Sequence, residues 1–388
     1  MKVTDLHALI NAVSQEILGE TAIVEEDLSN VVSIGKQIID TDNLDNYTKK
    51  LINHIGKVKF SDRLYSGGVP SVLMDSWEFG SILEKISCEL PEASQNDSYN
   101  LIDGQEYGQD TFYQPTVSAK FFNNKVTFEI NLSFTEKQVK ESFSNATQLN
   151  AFVSMLTNSI ENSMTVKLDA LIMRTINNMT AETLYSDLYN ETSKNIDYAA
   201  SGTRAINLLT LYNEKVETPL TVDKALNDVD FIRFATYLIG MYVDRLQKMS
   251  TLFNIEGKER FTAQNMQNII LLSDFSRASE TFLASNTFNA EKIALPVHER
   301  VSYWQASGTK YTFDEVSKIN VQTSNGHTVS ASGIIGVIFD REALGVSNLD
   351  RRVTTHYNAK AEFYNNFYKF DAGYYNDLSE NFVVFFIA

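Results

Sequence analysis

One cysteine, Cys88, in 388 residues excludes an intrachain disulfide, and no His or CxxC pattern surrounds it. It reads as a buried structural thiol rather than a nucleophile, and nothing signals an oxidising compartment. Long apolar runs are also missing. Nothing approaches the about 18 consecutive apolar residues of a transmembrane helix. The opening Met1-Lys2-Val3-Thr4-Asp5-Leu6-His7 lacks the apolar core of a secretory signal, so synthesis and use in a cytosol are expected. Basic residues are in deficit: 33 Lys and Arg stand against 49 Asp and Glu, a net charge of −16. That argues against strong non-specific nucleic-acid binding, which needs clustered cations to displace counterions from phosphates. A protein that encloses nucleic acid without gripping it is not excluded.

Catalytic and ligand motifs are absent too. Ser66-Gly67-Gly68 and Ser201-Gly202-Thr203 lack the frame of a phosphate-binding loop, and neither GxSxG nor HExxH occurs. Asp40, Asp42 and Asp45 hint at a calcium loop, but Leu44 occupies a ligand position and the glycine is missing. The cluster reads as helix N-terminal charge. His7, His54, His298, His327 and His356 are scattered without metal-ligand spacing. No catalytic, cofactor-binding or metal residue is assigned.

What is present is a folded chain, 43% hydrophobic and 21% charged, and long enough for two or more lobes. Val3, Leu6, Ile10, Val13 and Ile17, then Leu44, Tyr47, Leu51 and Ile55, predict two short amphipathic helices within residues 1–60. Such helices bury little on each other, so this region is expected to wrap over its own body or a neighbour. Tyr65 to Pro70 signals a turn, followed by a short element through Trp77, Phe79 and Ile82. Pro91 and the polar residues 92–100 open an exposed excursion.

The excursion leads into an extended arm, about Asp110 to Phe134. Val126, Phe128, Ile130, Leu132 and Phe134 alternate with polar residues, a strand with one buried face. Thr111 to Phe122 is its expected partner, with Pro115 at an edge and Asn123-Asn124 as the turn. An isolated hairpin is barely stable in water, so this one must lie on something, and a neighbouring subunit is the natural support. Thr135-Glu136-Lys137-Gln138 reads as a capping box for a short helix through Val139 and Phe143. Then Leu149, Phe152, Val153, Leu156, Ile160, Met164, Leu168, Leu171, Ile172 and Ile176 predict one long helix over 147–178. A long, glycine-poor arm feeding a long helix, with no catalytic residue on either, points to an assembly subunit rather than a catalyst.

Beyond Pro219 a mixed α/β lobe is predicted. Thr221 is placed to cap a helix bearing Phe231, Phe234, Leu238, Met241, Tyr242, Leu246 and Met249. Asn268 to Ser273, Val297 to Trp304 and Ile334 to Asp340 read as strands, and Ser276 to Phe288 as helix. The aromatic tail from Tyr357, ending in Phe382-Val383-Val384-Phe385-Phe386-Ile387, suits a helix or strand pair packing back on the long helix. Arg351-Arg352 precedes it, read equally as a contact for a neighbour's carboxylates or as a solvated loop. His298-Glu299-Arg300 reads as a polar strand end.

The order of these parts resembles the major capsid proteins of tailed bacteriophages with the Hong Kong 97-type fold. The similarity is closest to those of small short-tailed phages of low-GC hosts. Several stretches carry it: Val31 to Lys36 with Ile38-Ile39 and Asp45; Arg63 to Ser66 with Trp77 to Gly80 and Lys85-Ile86; and Phe143 to Leu156. Leu271 to Asp274 with Leu283-Ala284 and Phe288-Asn289, Ile338 to Glu342, and the run from Tyr357 complete it. The resemblance implies an α+β fold with an N-terminal arm (1–60) and an E-loop hairpin (95–135). It implies a peripheral domain (61–94, 136–215 and 345–388) containing the spine helix, and an axial domain (216–344). It implies self-assembly into hexamers and pentamers of an icosahedral or prolate head around double-stranded DNA, without sequence-specific binding. A separate scaffolding protein, a portal at one vertex, and assembly in the host bacterial cytoplasm are further implications. Candidate intersubunit contacts are Phe112, Tyr113, Phe121, Phe122, Val126, Phe128, Ile130, Leu132, Arg351 and Arg352. Another structural virion protein, or a soluble α/β enzyme with an unrecognised site, are the alternatives.

Overall fold

The computed structural model describes residues 68–74, 82–108, 110, 112–135, 146–285, 295–305 and 310–388. The N-terminal helices, the Trp77 and Phe79 stretch, and the capping box with its short helix lie outside the described residues. The chain divides into two compact units. One comprises residues 1–65, 130–163 and 354–367; the other comprises 66–129, 164–353 and 368–388.

The strands are β1 (Leu73–Met74), β2 (Leu83–Cys88), β3 (Val117–Phe122), β4 (Lys125–Thr135), β5 (Tyr189–Asn190), β6 (Asn195–Ile196), β7 (Ala205–Asn207) and β8 (Gln267–Leu272). They continue as β9 (Glu299–Val301), β10 (Ile319–Gln322), β11 (Thr328–Ala331), β12 (Ile334–Asp340), β13 (Leu344–Asn358), β14 (Phe363–Asn376) and β15 (Phe382–Phe386). The helices are α1 (Ala146–Leu188), α2 (Leu208–Asn213), α3 (Val222–Ala225), α4 (Val229–Leu246), α5 (Ser273–Ser285) and α6 (Phe313–Val316).

A five-stranded sheet in the order β7-β15-β12-β8-β9 forms the core of the larger unit. β12 lies antiparallel to both β15 and β8, with Val337 opposite Val384 on one side and Ile270 on the other. Every residue of β12 and of β15 is buried. Their sequences therefore run apolar without alternation, as strands covered on both faces do. α4 covers one face, packing Phe231, Ile232, Ala235 and Ile239 into the same cluster as Ile338, Val383 and Phe385. Each such side chain contributes about 1.5–3 kcal/mol when fully buried. The cap of α4 corrects the sequence expectation. Thr221 precedes only the four-residue α3 and makes no side-chain cap bond, whereas Asp228 accepts from the Phe231 amide at 2.8 Å.

The aromatic tail forms strands rather than a helix. β14 packs back on α1: Asn376 donates to the Thr175 carbonyl, and the Arg174 guanidinium sits 5.6 Å from the Tyr374 ring centre. β15 instead enters the middle of the sheet. α1 runs to Leu188, ten residues past the predicted end. From Thr175 to Leu184 almost every position is buried, including Thr175, Asn177, Thr180 and Thr183. Thr175 and Thr183 satisfy their hydroxyls on carbonyls one turn back, and Asn177 donates to Trp304. A helix buried all round carries no apolar stripe, so periodicity fades there although the helix continues.

The arm pairs differently from its sequence reading. β3 pairs antiparallel with β2, and β4 joins β14 at the edge of a four-stranded sheet, β1-β13-β14-β4. Asn123-Asn124 therefore links two sheets instead of closing a hairpin. The Asn124 carbonyl accepts from the Tyr374 amide at 3.1 Å, and Phe128 stacks on Phe370 at 4.9 Å between ring centres. Those contacts give the alternating apolar face of β4 a partner that β3 does not offer. In the smaller unit, Thr355 donates to Asn366 at 2.8 Å, and Tyr357 packs on Tyr364 at 4.7 Å between ring centres.

Two glycines separate the constraints. Gly333 has φ +79° and a Cβ there would strike the Ile387 carbonyl, whereas Gly240, within α4, has open space around it. Gly333→Ala is expected to destabilise the subunit by more than about 2 kcal/mol. Gly240→Ala is expected to stabilise it by up to about 1 kcal/mol. Urea denaturation of both variants checks the contrast.

Candidate functional site

β2 and β3 form a two-stranded ribbon in continuous register from Leu83 opposite Phe122 to Cys88 opposite Val117. Residues 89–116 connect them as one long loop. The loop carries Glu89, Glu92, Asp97, Asp103, Glu106 and Asp110, and no Lys, Arg or His. Its large side chains face solvent, with Tyr99 97%, Phe112 84% and Tyr113 83% exposed. Gly104, at φ +83°, supplies a left-handed turn in it.

The ribbon's inner face is held to the larger unit by charge. Lys85 Nζ lies 2.7 Å from Glu380, 3.0 Å from Asp377 and 3.4 Å from Glu342. Lys120 Nζ, directly opposite on β3, lies 2.9 Å from Asp377 and 2.6 Å from Glu256. The Asp377 side chain is fully buried, so one carboxylate takes a lysine from each strand. Ser379 also donates to it at 2.7 Å. Burial works to push the Asp377 carboxyl up. The hydrogen bonds from Lys120 and Ser379 and the charge of Lys85 outweigh it and hold the pKa at about 2. Burial works to lower Lys85, but its bond to Glu380 and the charges of Asp377 and Glu380 raise it to about 12. Lys120 is raised as well: its bonds to Glu256 and Asp377 overcome burial. Arg260 donates to Glu380, and Lys258 pairs with Glu89 at the loop's start. At the foot of the ribbon, Phe122 packs on Tyr375 at 5.0 Å between ring centres.

Of the sequence-derived contact residues, Phe112, Tyr113 and Phe121 are exposed on the loop and ribbon. Phe122 is half-buried at the foot. Val126, Phe128, Ile130 and Leu132 are half-buried on β4, outside the ribbon. Arg351 and Arg352 are exposed on β13, where Arg352 pairs with Asp350 and Asp371. The bond from Arg352, joined by one from Thr127, holds the Asp371 carboxyl below its usual range. Cys88, expected to be buried, is exposed at the end of β2, on the face of the ribbon that alternation turns outward. Sequence reading missed Lys85, Lys120, Asp377 and Glu380. Two lysines at inward positions of strands were the available signal, but nothing local pairs Lys120 with an acid 257 positions away.

The remaining polar clusters do not assemble a reactive centre. Ser276 donates to His298 Nε2 at 2.7 Å, but its side chain belongs to a fully buried residue and also accepts from Arg300. One open cleft of about 520 Å³ is bordered by Asp223, Asp274 and Asp314. Each of these stands in the first turn of its own helix, where the backbone dipole favours negative charge. Among the described residues, no group of three His, Cys, Asp or Glu is placed to hold a metal. No helix among them is long and apolar enough to cross a membrane.

A family model for Phi29-like phage major capsid proteins matches residues 8–386. No curated protein matches the chain in sequence. A chain in the capsid structure of Staphylococcus phage Andhra aligns with TM-score 0.53 at 8% identity, covering 86% of this chain and 87% of that one. A chain in the capsid structure of cyanophage P-SCSP1u gives 0.47 at 13% identity, covering 87% and 94%. A chain in a structure of bacteriophage P68, solved for its head fiber and inner core protein, gives 0.47 at 10%, covering 86% and 87%. The first of these carries the fold assignment.

Asp377→Asn is expected to cost about 3 kcal/mol in urea denaturation at neutral pH, because two lysines lose their shared acid. Faster amide exchange in β2 and β3 should accompany the loss. Adding Lys120→Met should recover part of it. The pH dependence has a defined sign. Asp377 contributes fully above its ordinary pKa of 3.8, and its contribution is lost as pH falls through about 2. Lys85 contributes fully below its ordinary 10.5, and its contribution is lost as pH rises through about 12. Asp377→Asn should flatten the acid limb of the stability profile.

Proposed function

This chain belongs to the Phi29-like phage major capsid protein family, and from that premise we propose how its parts act in the head it builds. It is a structural, non-enzymatic protein of the virion with the α+β Hong Kong 97-type fold, and it assembles with itself into the capsid. In our reading the copies form hexamers and pentamers of an icosahedral or prolate shell. The ribbon and loop from Leu83 to Phe122 are the arm that crosses to the next copy. The axial body is the five-stranded sheet with its helices. It therefore takes in β7 and β15, which lie outside residues 216–344, while β13, β14, β4 and α1 serve the peripheral part.

The observation that carries the arm assignment is the state of its loop. Phe112, Tyr113 and Tyr99 project almost fully into solvent from a segment of considerable length. Aromatic side chains gain most from being covered, and the described residues of their own chain leave them bare. The net charge of −16 supports a shell that encloses double-stranded DNA without holding it, since a wall rich in cations would retard packaging. A separate scaffolding protein, a portal at one vertex and assembly in the host bacterial cytoplasm complete the proposal.

Replacing residues 92–114 by a short turn tests the arm. Co-expressed with the scaffolding protein, the shortened chain should keep the melting behaviour of the intact subunit and form no closed particles by negative-stain microscopy. Normal shells from the shortened chain would sink the arm assignment.

A further inference from the structure

Asn325-Gly326 is the one Asn-Gly pair in the chain, and it stands at the tip of the β10–β11 hairpin. Two backbone bonds close the turn there. The Gly326 amide donates to the Thr323 carbonyl at 3.0 Å, and the Thr323 amide donates to the His327 carbonyl at 2.8 Å. Gly326 takes φ +81°, the left-handed residue that such a turn needs before its second strand. Asn325 and Gly326 are both exposed. Beyond its chain neighbours, nothing lies within 4 Å of where a Gly326 Cβ would stand. Among the described residues no hydrogen bond holds the Asn325 side chain. Two other turns show the contrast. The side-chain oxygens of Asn190 and Asn358 each accept two backbone amides, and the residues after them, Glu191 and Ala359, carry a Cβ.

We infer that Asn325 is a site of spontaneous deamidation, a modification that needs only water. The Gly326 backbone nitrogen gives up its proton to solvent base and attacks Cγ of Asn325. The new N–Cγ bond closes a succinimide ring. The Cγ–Nδ2 bond breaks, and the leaving nitrogen takes up a proton and departs as ammonia. Water then adds to either ring carbonyl and opens the ring. Breaking the bond to Cγ leaves aspartate, and breaking the bond to the main-chain carbonyl leaves isoaspartate. Glycine favours the attack because no side chain shields its nitrogen. The bond from Gly326 to Thr323 opposes it, so the reaction proceeds through brief openings of the exposed tip. Either product adds a carboxylate to a chain already at −16. It lands beside Ser324, whose amide donates to Glu182 of α1, so two acids then share that side of the tip. Isoaspartate also lengthens the main chain by one carbon, which the two closing bonds cannot both accommodate. His327 stacks on the Tyr185 ring of α1 at 4.8 Å between ring centres, so the hairpin rests on α1 through this same tip. Deamidation loosens that contact increasingly as the subunit ages. The chemistry is independent of what the subunit assembles into.

Full-length protein is held at neutral and at mildly alkaline pH and sampled over time. Peptides are read by mass after digestion in acid, where the reaction is slow. A shift from amide to acid mass is expected in the Asn325-Gly326 peptide, faster at the higher pH, with isoaspartate detected by enzymatic methylation. Peptides containing Asn190 and Asn358 should keep their amides over the same time. Amide hydrogen exchange in β10 and β11 should quicken in the converted chain. Asn325→Gln, whose longer side chain closes a ring far more slowly, should lose the shift with the melting temperature unchanged. Conversion of Asn325 in urea but not in the folded chain would show that the turn blocks the attack, and would overturn the site. Equal or faster conversion at Asn190 or Asn358 would overturn the roles given to Gly326 and to the unheld side chain. A shift that persists in Asn325→Gln would place the reaction elsewhere and overturn the proposal. Conversion with unchanged exchange in β10 and β11 would overturn the loosening of the hairpin.

Discussion

A single buried carboxylate, Asp377, ties the β2–β3 ribbon to the rest of the larger unit. It sits between β14 and β15, on the short link that leads from the peripheral strands into the central sheet. Two lysines reach it, one from each strand of the ribbon, and Glu380 and Glu256 add a further acid to each. The link is also fixed from the other side: the Asp377 amide donates to Ala343 at 2.7 Å, just ahead of β13. The ribbon's direction, the turn into β15 and the start of β13 are therefore set by one small group of bonds. An ionic anchor suits an arm of this kind. Its strength depends on geometry, so it specifies one orientation, whereas an apolar contact of similar area would tolerate sliding.

The anchor also explains why the apolar residues of the ribbon face outward. With its inner side satisfied by charge, the ribbon has no further use on its own subunit for Ile86, Val117 and Phe121. Those side chains stay exposed on the described subunit. The central sheet plays a different part. β12 and β15 are buried on both faces, and α4 seals one side with Phe231 and Ile239. This rigid body gives the anchor a fixed platform.

Much of the architecture was legible in the chain. Alternation from Val126 to Phe134 marked β4 and its inward residues. The apolar runs at Asn268 to Ser273 and Ile334 to Asp340 marked two of the central strands, whereas Phe382 to Ile387, expected to pack on the long helix, enters the central sheet. Leu149 to Ile176 marked most of α1, and the reading faltered where Thr175 and Thr183 are buried and bond back within the helix and Asn177 donates to the Trp304 carbonyl. The strand partners were less legible. β3 and β4 are adjacent in sequence, and a two-residue link invites a hairpin, but each pairs with a distant strand.

The sequence by itself determined most of α1, β4 with its apolar face and two of the central strands, that the chain is acidic, and that it carries one thiol and no recognisable catalytic motif. These are properties of period and composition, and they are written locally. Only the tertiary structure decided that β3 pairs with β2, that Lys85 and Lys120 share Asp377, and that the ribbon turns its apolar side away from its own body. Those choices depend on burial. A lysine 257 positions from an aspartate gains little from it in an open chain, where water and salt screen both charges. The same pair becomes strong once the carboxylate is enclosed and water no longer screens it.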